Sequence, residues 1–137
     1  MARPLRIEFP GAVYHICDRM LGNWKKESNL LFEDDSDRYR FMDRLGERVE
    51  KYDIRLYLVT LMSNHFHLVA ETPAGNLSPF MQSLSTSYAI YFNMRHGRHG
   101  HLFDGRYKAK LVELPRSVSV VLILEMLSKD ILMFSLG

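Results

Sequence analysis

The chain has 137 residues, of which 47% are hydrophobic and 25% charged, values that are typical of one globular domain and exclude a disordered chain. The single cysteine, Cys17, excludes an internal disulfide and a zinc site made of cysteines alone, and it favours a reducing, cytoplasmic location. The formal net charge of +2 does not by itself identify a nucleic-acid-binding protein, and the first residues lack the apolar run of a signal peptide.

The first half of the chain begins with a strand pattern and continues with a helix pattern. Residues 12–18 alternate in the way of a strand with one buried face. Apolar residues then recur at helical spacing and predict a helix from about Asp35 to Lys51, for which Ser36 is the candidate N-cap. The residues of this apolar stripe are Phe41, Met42, Leu45, Val49 and Tyr52.

A β-hairpin is predicted next. Residues 54–62 alternate as a second strand, with Leu56 and Leu58 on one face and Val59 on the other. The dipeptide Ser63-Asn64 predicts a tight turn into a third strand over residues 65–71.

The second half predicts a further helix, a basic loop and a strand. Ser78 as cap and Pro79 at the first helical position begin a helix that ends near Gly97. A glycine-punctuated loop leads to a fourth strand at about 106–113. The apolar segment 117–134 predicts a last helix, and its charged residues exclude a membrane span.

The order β-α-β-β-α-β predicts an α+β fold of the ferredoxin-like, split βαβ type. In such a fold an antiparallel sheet carries its helices on one face and leaves the other face free to bind a ligand. No internal repeat or linker divides the chain, so we predict a single domain over residues 1–137.

The most informative residues are His65 and His67, which flank Phe66 in the third predicted strand. Residues i and i+2 of a strand point to the same face, so both imidazoles leave one side of the sheet while Phe66 enters the other. Two nitrogen ligands on a rigid strand suit a divalent metal. The alternative for an isolated His-x-His pair is two surface histidines without a ligand.

The residues around this pair resemble the HUH motif of the single-tyrosine transposases, in particular their REP-associated branch. The resemblance extends over about residues 10–113, and the tail 117–137 diverges from it. The matching segments are residues 11–16 (GAVYHI), 29–34 (NLLFED), 61–69 (LMSNHFHLV), 87–93 (SYAIYFN) and 100–109 (GHLFDGRYKA).

The resemblance implies a transposase that cleaves and joins single-stranded DNA with the help of a metal. His65 and His67 would hold Mg²⁺ or Mn²⁺ against the scissile phosphate, and a tyrosine would form a 5′-phosphotyrosine intermediate. It also implies binding of single-stranded or hairpin DNA and action as a homodimer.

The family nucleophile has no counterpart in this sequence. Its position falls near Leu124, and no tyrosine follows Tyr107. Tyr107 is therefore the fallback candidate for the nucleophile, although a packing or base-stacking role suits it better. Glu125 lies in the stretch where a third metal ligand is expected, but a surface carboxylate is the simpler interpretation.

Positive charge concentrates between Arg95 and Arg116. A local basic segment neutralises phosphates even when the whole chain is nearly balanced, and such contacts position a nucleic acid without reading its bases. The alternative is a solvated loop with scattered charge. The candidate DNA-binding residues are Arg98, His101, Arg106, Lys108 and Lys110.

Three functions are compatible with these observations. The first is a transposase whose catalysis lacks the family tyrosine. The second is a catalytically inactive DNA- or RNA-binding remnant of a mobile element. The third, a metal-dependent hydrolase unrelated to nucleic acid, has the least support, because no paired carboxylate or third histidine stands at ligand spacing near His65 and His67.

Overall fold

The computed structural model describes residues 8–22 and 30–112, and its elements follow the predicted order. They are β1 (Ala12–Arg19), α1 (Asp35–Lys51), β2 (Arg55–Leu61), β3 (His65–Thr72), α2 (Leu77–His96) and β4 (Lys108–Leu111). The predicted last helix, the position near Leu124 and the carboxylate of Glu125 lie outside the described residues.

The four strands form one sheet in the order β2-β3-β1-β4, and every neighbouring pair is antiparallel. The predicted α+β fold with an antiparallel sheet is confirmed. The two central strands are β3 and β1, so the residues on them are held by hydrogen bonds from both sides. In this register Cys17 on β1 lies opposite His67 on β3. On the other side of β1, His15 lies opposite Lys110 on β4.

The main hydrophobic core lies between one face of the sheet and the two helices. Phe66 is fully buried there, and its ring centroid lies 4.8 Å from that of Phe41 on α1. Tyr88 on α2 is also fully buried, and its hydroxyl donates a 2.6 Å hydrogen bond to the carbonyl of Leu31. Both helices therefore cover the Phe66 face, which leaves the histidine face of the sheet without a described helix.

The helix starts differ from the predicted caps. Asp34, and not Ser36, caps α1, because its carboxylate accepts a 3.1 Å hydrogen bond from the backbone N–H of Asp37. The second helix begins at Leu77, before the predicted cap Ser78. In the described part of the chain, no helix combines the length and the apolar character needed to cross a membrane.

The predicted faces of β2 are wrong at one point. A register shift between Leu56 and Leu58 places one extra residue, Tyr57, in this strand. Such a bulge reverses the alternation of side chains. Leu56 therefore packs against the main core together with Val59, whereas Leu58 is buried in a small cluster with Val69 that is separate from the main core.

Candidate metal and nucleic-acid site

The candidate site is built on β3, where the burial of Phe66 decides the direction of its two neighbours. Phe66 has no exposed surface, while His65 and His67 are half-buried on the opposite face. The two imidazole rings lie 4.9 Å apart between centroids and are nearly perpendicular, at 82°. The predicted placement of both imidazoles on one face, away from the main core, agrees with this geometry.

A hydrogen bond determines the tautomer of His65. Its Nδ1 lies 2.7 Å from Oδ1 of Asn64, the last residue of the β2–β3 turn. A carbonyl oxygen only accepts, so Nδ1 must carry the proton and donate it. A neutral imidazole has one protonated nitrogen, and Nε2 of His65 therefore keeps a free lone pair, which is what a metal ligand requires.

His67 makes the corresponding contact with a third histidine, His15 on β1. Nδ1 of His67 lies 2.9 Å from Nε2 of His15, and the two rings stack at 5.1 Å with an angle of 20° between their planes. Sequence reasoning missed His15 as part of the site. It alternates with buried Tyr14 and Ile16 and so shares a strand face with Cys17, but only the strand pairing shows that this face adjoins His67.

Burial keeps the three imidazoles neutral. It lowers the pKa of His67 to about 4, and the proximity of the His15 and His65 rings acts in the same direction. Burial also lowers the pKa of His15, assisted by Lys110, and that of His65, assisted by Arg19. Metal ions bind only the neutral form of histidine, so the rings are in the ligating state at neutral pH.

Basic side chains lie along the same face. Lys108 and Lys110 on β4 stand opposite Cys17 and His15, and both are exposed. Arg19, which sequence reasoning did not select, lies opposite His65 on β1 and is also exposed. The face therefore combines imidazoles in its central strands with cations on its β4 side and beside His65.

The other predicted DNA-binding residues lie outside this sheet face. Arg98 is in the loop after α2, where its guanidinium donates hydrogen bonds to Asn93 Oδ1 at 3.0 Å and to the carbonyl of His101 at 3.4 Å. Arg106 is exposed but precedes β4, which begins only at Lys108. The fourth strand, predicted to begin at about residue 106, thus begins only at Lys108, and Arg106 is not part of the sheet face.

The structure does not bring Tyr107 to the histidines. Its ring packs against the main core on the helix side, and its hydroxyl lies 3.2 Å from Ser78 Oγ at the start of α2. Tyr57 does belong to the histidine side, and its hydroxyl donates a 3.4 Å hydrogen bond to Glu71. Glu71 is four positions from His67 on β3, a separation of about 13 Å along a strand. Neither hydroxyl adjoins the imidazoles.

A second group of ligand-type atoms lies at the helix ends. One atom each from Glu33, Asp37 and His96 falls within 4.8 Å of the other two. Both carboxylate oxygens of Asp37 are already engaged, one by Tyr91 and Arg95 and the other by His96 and the backbone of Glu33. The guanidinium of Arg95 supplies the positive charge, so this network fastens the start of α1 to the end of α2.

Comparisons with known proteins agree with this architecture. The structure resembles that of a REP-associated tyrosine transposase bound to a REP hairpin, with a TM-score of 0.65 and 10% identity; the match covers 85% of this chain and 65% of that one. It also resembles a Deinococcus radiodurans R1 protein described as a transposase, with a TM-score of 0.56, 16% identity and coverage of 93% and 96%. No curated protein matches the chain. The sequence model of the IS200-like transposases matches residues 13–122, and the chain belongs to that family.

Proposed function

We propose that this chain binds single-stranded or hairpin DNA on the open face of its sheet, with Mg²⁺ or Mn²⁺ held by His65 and His67. The observation that carries the proposal is the pair of neutral imidazoles on one central strand, each with its Nδ1 engaged. The family membership supports the same assignment, since residues 61–69 resemble the HUH motif of that family.

The donor set fits a divalent cation. Asn64 accepts from Nδ1 of His65, and we assign His15 the same role toward His67, with Nε2 of His15 as the acceptor. Both Nε2 lone pairs are then available, and hydrogen-bonded second nitrogens of this kind orient ligating histidines in metalloproteins. A bound cation would supply Lewis-acid polarisation of a phosphate oxygen.

Positive charge beside the imidazoles would neutralise the phosphates of the bound strand. It comes from Lys108 and Lys110 on β4 and from Arg19 on β1. These contacts position the backbone and carry no sequence information. Arg98, His101 and Arg106 extend the proposed DNA contact into the loop between α2 and β4.

The reaction implied by the family is cleavage and joining of single-stranded DNA through a 5′-phosphotyrosine. In this reaction the tyrosine oxygen bonds to phosphorus, the 3′ oxygen leaves as a hydroxyl, and the phosphotyrosine later transfers the strand without ATP. The second candidate, a DNA- or RNA-binding remnant without strand transfer, is favoured by one observation. No tyrosine of the described residues has its hydroxyl beside the imidazoles.

One experiment separates these two functions. The protein is incubated with a hairpin DNA that carries a single-stranded flank, with and without Mn²⁺, and denaturing gels reveal whether a covalent protein–DNA band forms. A Mn²⁺-dependent band establishes DNA cleavage through a covalent intermediate and excludes the remnant, and peptide mapping identifies its tyrosine. Mn²⁺ binding and DNA binding without a band establish the remnant.

The metal site is tested separately. Mn²⁺ binding must be lost in His65→Ala and in His67→Ala, and it must be retained in the control His99→Ala, which lies in the exposed loop. Unchanged Mn²⁺ affinity in the first two variants contradicts the site.

We further propose a homodimer, as the resemblance implies. The short strand β4 supports this, because it lies at one edge of the described sheet and leaves backbone groups for pairing. Exposed Leu111 lies on the same strand. Sedimentation equilibrium tests the proposal, and a monomer at micromolar concentration contradicts it.

A further inference from the structure

A fully buried hydroxyl lies on the histidine face of the sheet. Thr60 on β2 is the strand partner of His67, and Leu61, the next residue of β2, is the partner of Phe66. Side chains of directly opposed residues leave the same side of a sheet, and Leu61 lies in the main core with Phe66. Thr60 therefore shares the face of His67.

The side chains of Thr60 and His67 are neighbours on this face. Cβ atoms of opposed residues in an antiparallel pair lie about 4.5–5.5 Å apart. Thr60 has no exposed surface, whereas the longer side chain of His67 is only half-buried. Because the hydroxyl oxygen of a threonine is bonded to Cβ, it lies beside the base of the His67 imidazole.

This hydroxyl has no hydrogen-bond partner among the residues that the structure describes. A buried hydroxyl without a partner destabilises a folded protein, because it has lost the hydrogen bonds that water would give it. Valine has nearly the same shape as threonine, suits a strand equally well and carries no polar atom. The threonine therefore indicates a partner for its hydroxyl beyond the described side chains and backbone groups.

The position of Thr60 distinguishes it from the other unpaired groups of the described residues. Three further side chains there have a buried polar atom without a partner, and they belong to the helix side: Arg44, Asn76 and Ser85. Arg44 lies in α1, Ser85 lies in α2, and Asn76 directly precedes α2. Of these four groups, only Thr60 adjoins a candidate metal ligand.

A cation held by two imidazoles keeps most of its coordination positions for other ligands. Mg²⁺ binds in octahedral geometry, and it retains several waters where a protein supplies few ligands. Mn²⁺ shares the preference for oxygen ligands. The waters of a bound cation are strong hydrogen-bond donors, because the metal withdraws electron density from their oxygen. An unpaired hydroxyl oxygen beside a ligating imidazole is a suitable acceptor for one of them.

We propose that the hydroxyl of Thr60 accepts a hydrogen bond from a water of the cation held by His65 and His67. Thr60 is then a positioning residue, which orients the cation through this water and does not contact the metal itself. The inference rests on the proposed function, since it adds a third protein contact to the same metal site. Outer contacts of this kind change metal affinity by about 10–100-fold.

Mn²⁺ titration by calorimetry, combined with thermal unfolding of the metal-free protein, tests this role. Thr60→Val removes the hydroxyl and keeps the shape, so the Mn²⁺ affinity should fall by at least about tenfold. The same substitution removes an unpaired buried group, so the Tm of the metal-free protein should rise by about 2–4 °C. Thr60→Ser keeps the hydroxyl and loses a methyl group, so its Tm should fall while its Mn²⁺ affinity stays within about threefold.

The matched control is Thr72→Val on β3. Thr72 is also fully buried, but it alternates with Ala70 of the main core and donates a 3.5 Å hydrogen bond to the carbonyl of Ala12. Loss of this hydrogen bond should lower the Tm and leave the Mn²⁺ affinity unchanged. The two valine variants should thus change the Tm in opposite directions, and only Thr60→Val should weaken metal binding.

Equal Mn²⁺ affinity in the wild-type protein and in Thr60→Val overturns the role of Thr60 and leaves the histidine site in place. Loss of both Mn²⁺ affinity and thermal stability in Thr60→Val, without recovery of the affinity in Thr60→Ser, also overturns it, because a structural role explains that pattern. A wild-type protein that does not bind Mn²⁺ contradicts the proposed function itself, and the role of Thr60 with it.

Discussion

The role of His15 can be tested by substitution, because we expect it to act on His67 as a hydrogen-bond acceptor and not through the volume of its side chain. His15 Nε2 lies 2.9 Å from His67 Nδ1, and removal of this acceptor leaves a half-buried N–H of His67 without a partner. Loss of a hydrogen-bonding group behind a metal-ligating histidine weakens metal affinity about 10–100-fold, or about 1.4–2.7 kcal/mol.

Three substitutions of His15 separate hydrogen bonding from packing. His15→Gln keeps an acceptor oxygen and retains Mn²⁺ affinity within about threefold. His15→Ala admits water as a substitute acceptor and costs about tenfold, and His15→Leu fills the space without an acceptor and costs up to about 100-fold. A purely packing role would instead make the leucine variant the mildest.

Isothermal titration calorimetry with Mn²⁺ measures these affinities. Cys17→Ser is the control, because Cys17 lies opposite His67 on the same face and forms no hydrogen bond with its ring. In the metal-free protein, ¹⁵N chemical shifts must show Nδ1 protonated in both His65 and His67. Leucine and glutamine variants of equal affinity, or a protonated Nε2 in His67, would refute the assignment of His15.

Three further predictions concern stability and the nucleophile. Asp37→Ala should lower the free energy of unfolding by about 3 kcal/mol in denaturant titrations, because it leaves the groups that converge on a fully buried carboxylate without their acceptor. Burial alone would raise the pKa of Asp37, but the hydrogen bonds from Tyr91 and Arg95 hold this pKa below 3.8. The wild-type protein therefore keeps this contribution to its stability above about pH 4 and loses it as the pH falls through the lowered pKa. In Asp37→Asn the free energy of unfolding should depend less on pH in the acid range. Phe66→Ala should cost about 3–5 kcal/mol of unfolding free energy, and a loss below about 1 kcal/mol would contradict its place in the core. Tyr107→Phe should leave the yield of any covalent DNA adduct unchanged on denaturing gels, and its disappearance would make Tyr107 the nucleophile.

Most of the fold follows from local patterns. The alternation around Phe66 and the helical spacing of Phe41 and Leu45 predict the right elements, because each pattern reports which residues must leave water. The prediction errors arise where a specific interaction, such as strand pairing or a capping hydrogen bond, changes what the hydrophobic pattern predicts. The bulge at Tyr57 depends on the pairing of β2 with β3, and the cap of α1 moves to Asp34 because its carboxylate reaches the backbone N–H of Asp37.

The site is less predictable, because half of it depends on the order of the strands. His65 and His67 are adjacent in sequence and share a face in any strand that buries Phe66. His15 joins them only because β1 pairs with β3, and Lys110 only because β4 pairs with β1. Nothing local to residues 12–19 or 108–111 indicates that these side chains meet.

The orientation of the imidazoles is in effect enforced by the core. Because side chains alternate with a period of two, turning His65 and His67 inward would require Phe66 to move out of the core. Burial of such a ring contributes about 1.5–3 kcal/mol, which exceeds the roughly 1 kcal/mol that one imidazole hydrogen bond supplies. The orientation of the two imidazoles on the open face therefore does not depend on a bound cation to form. The acceptors Asn64 and His15 determine which ring nitrogens of His65 and His67 carry the protons. Substitutions at these two positions should alter metal affinity while leaving the fold unchanged.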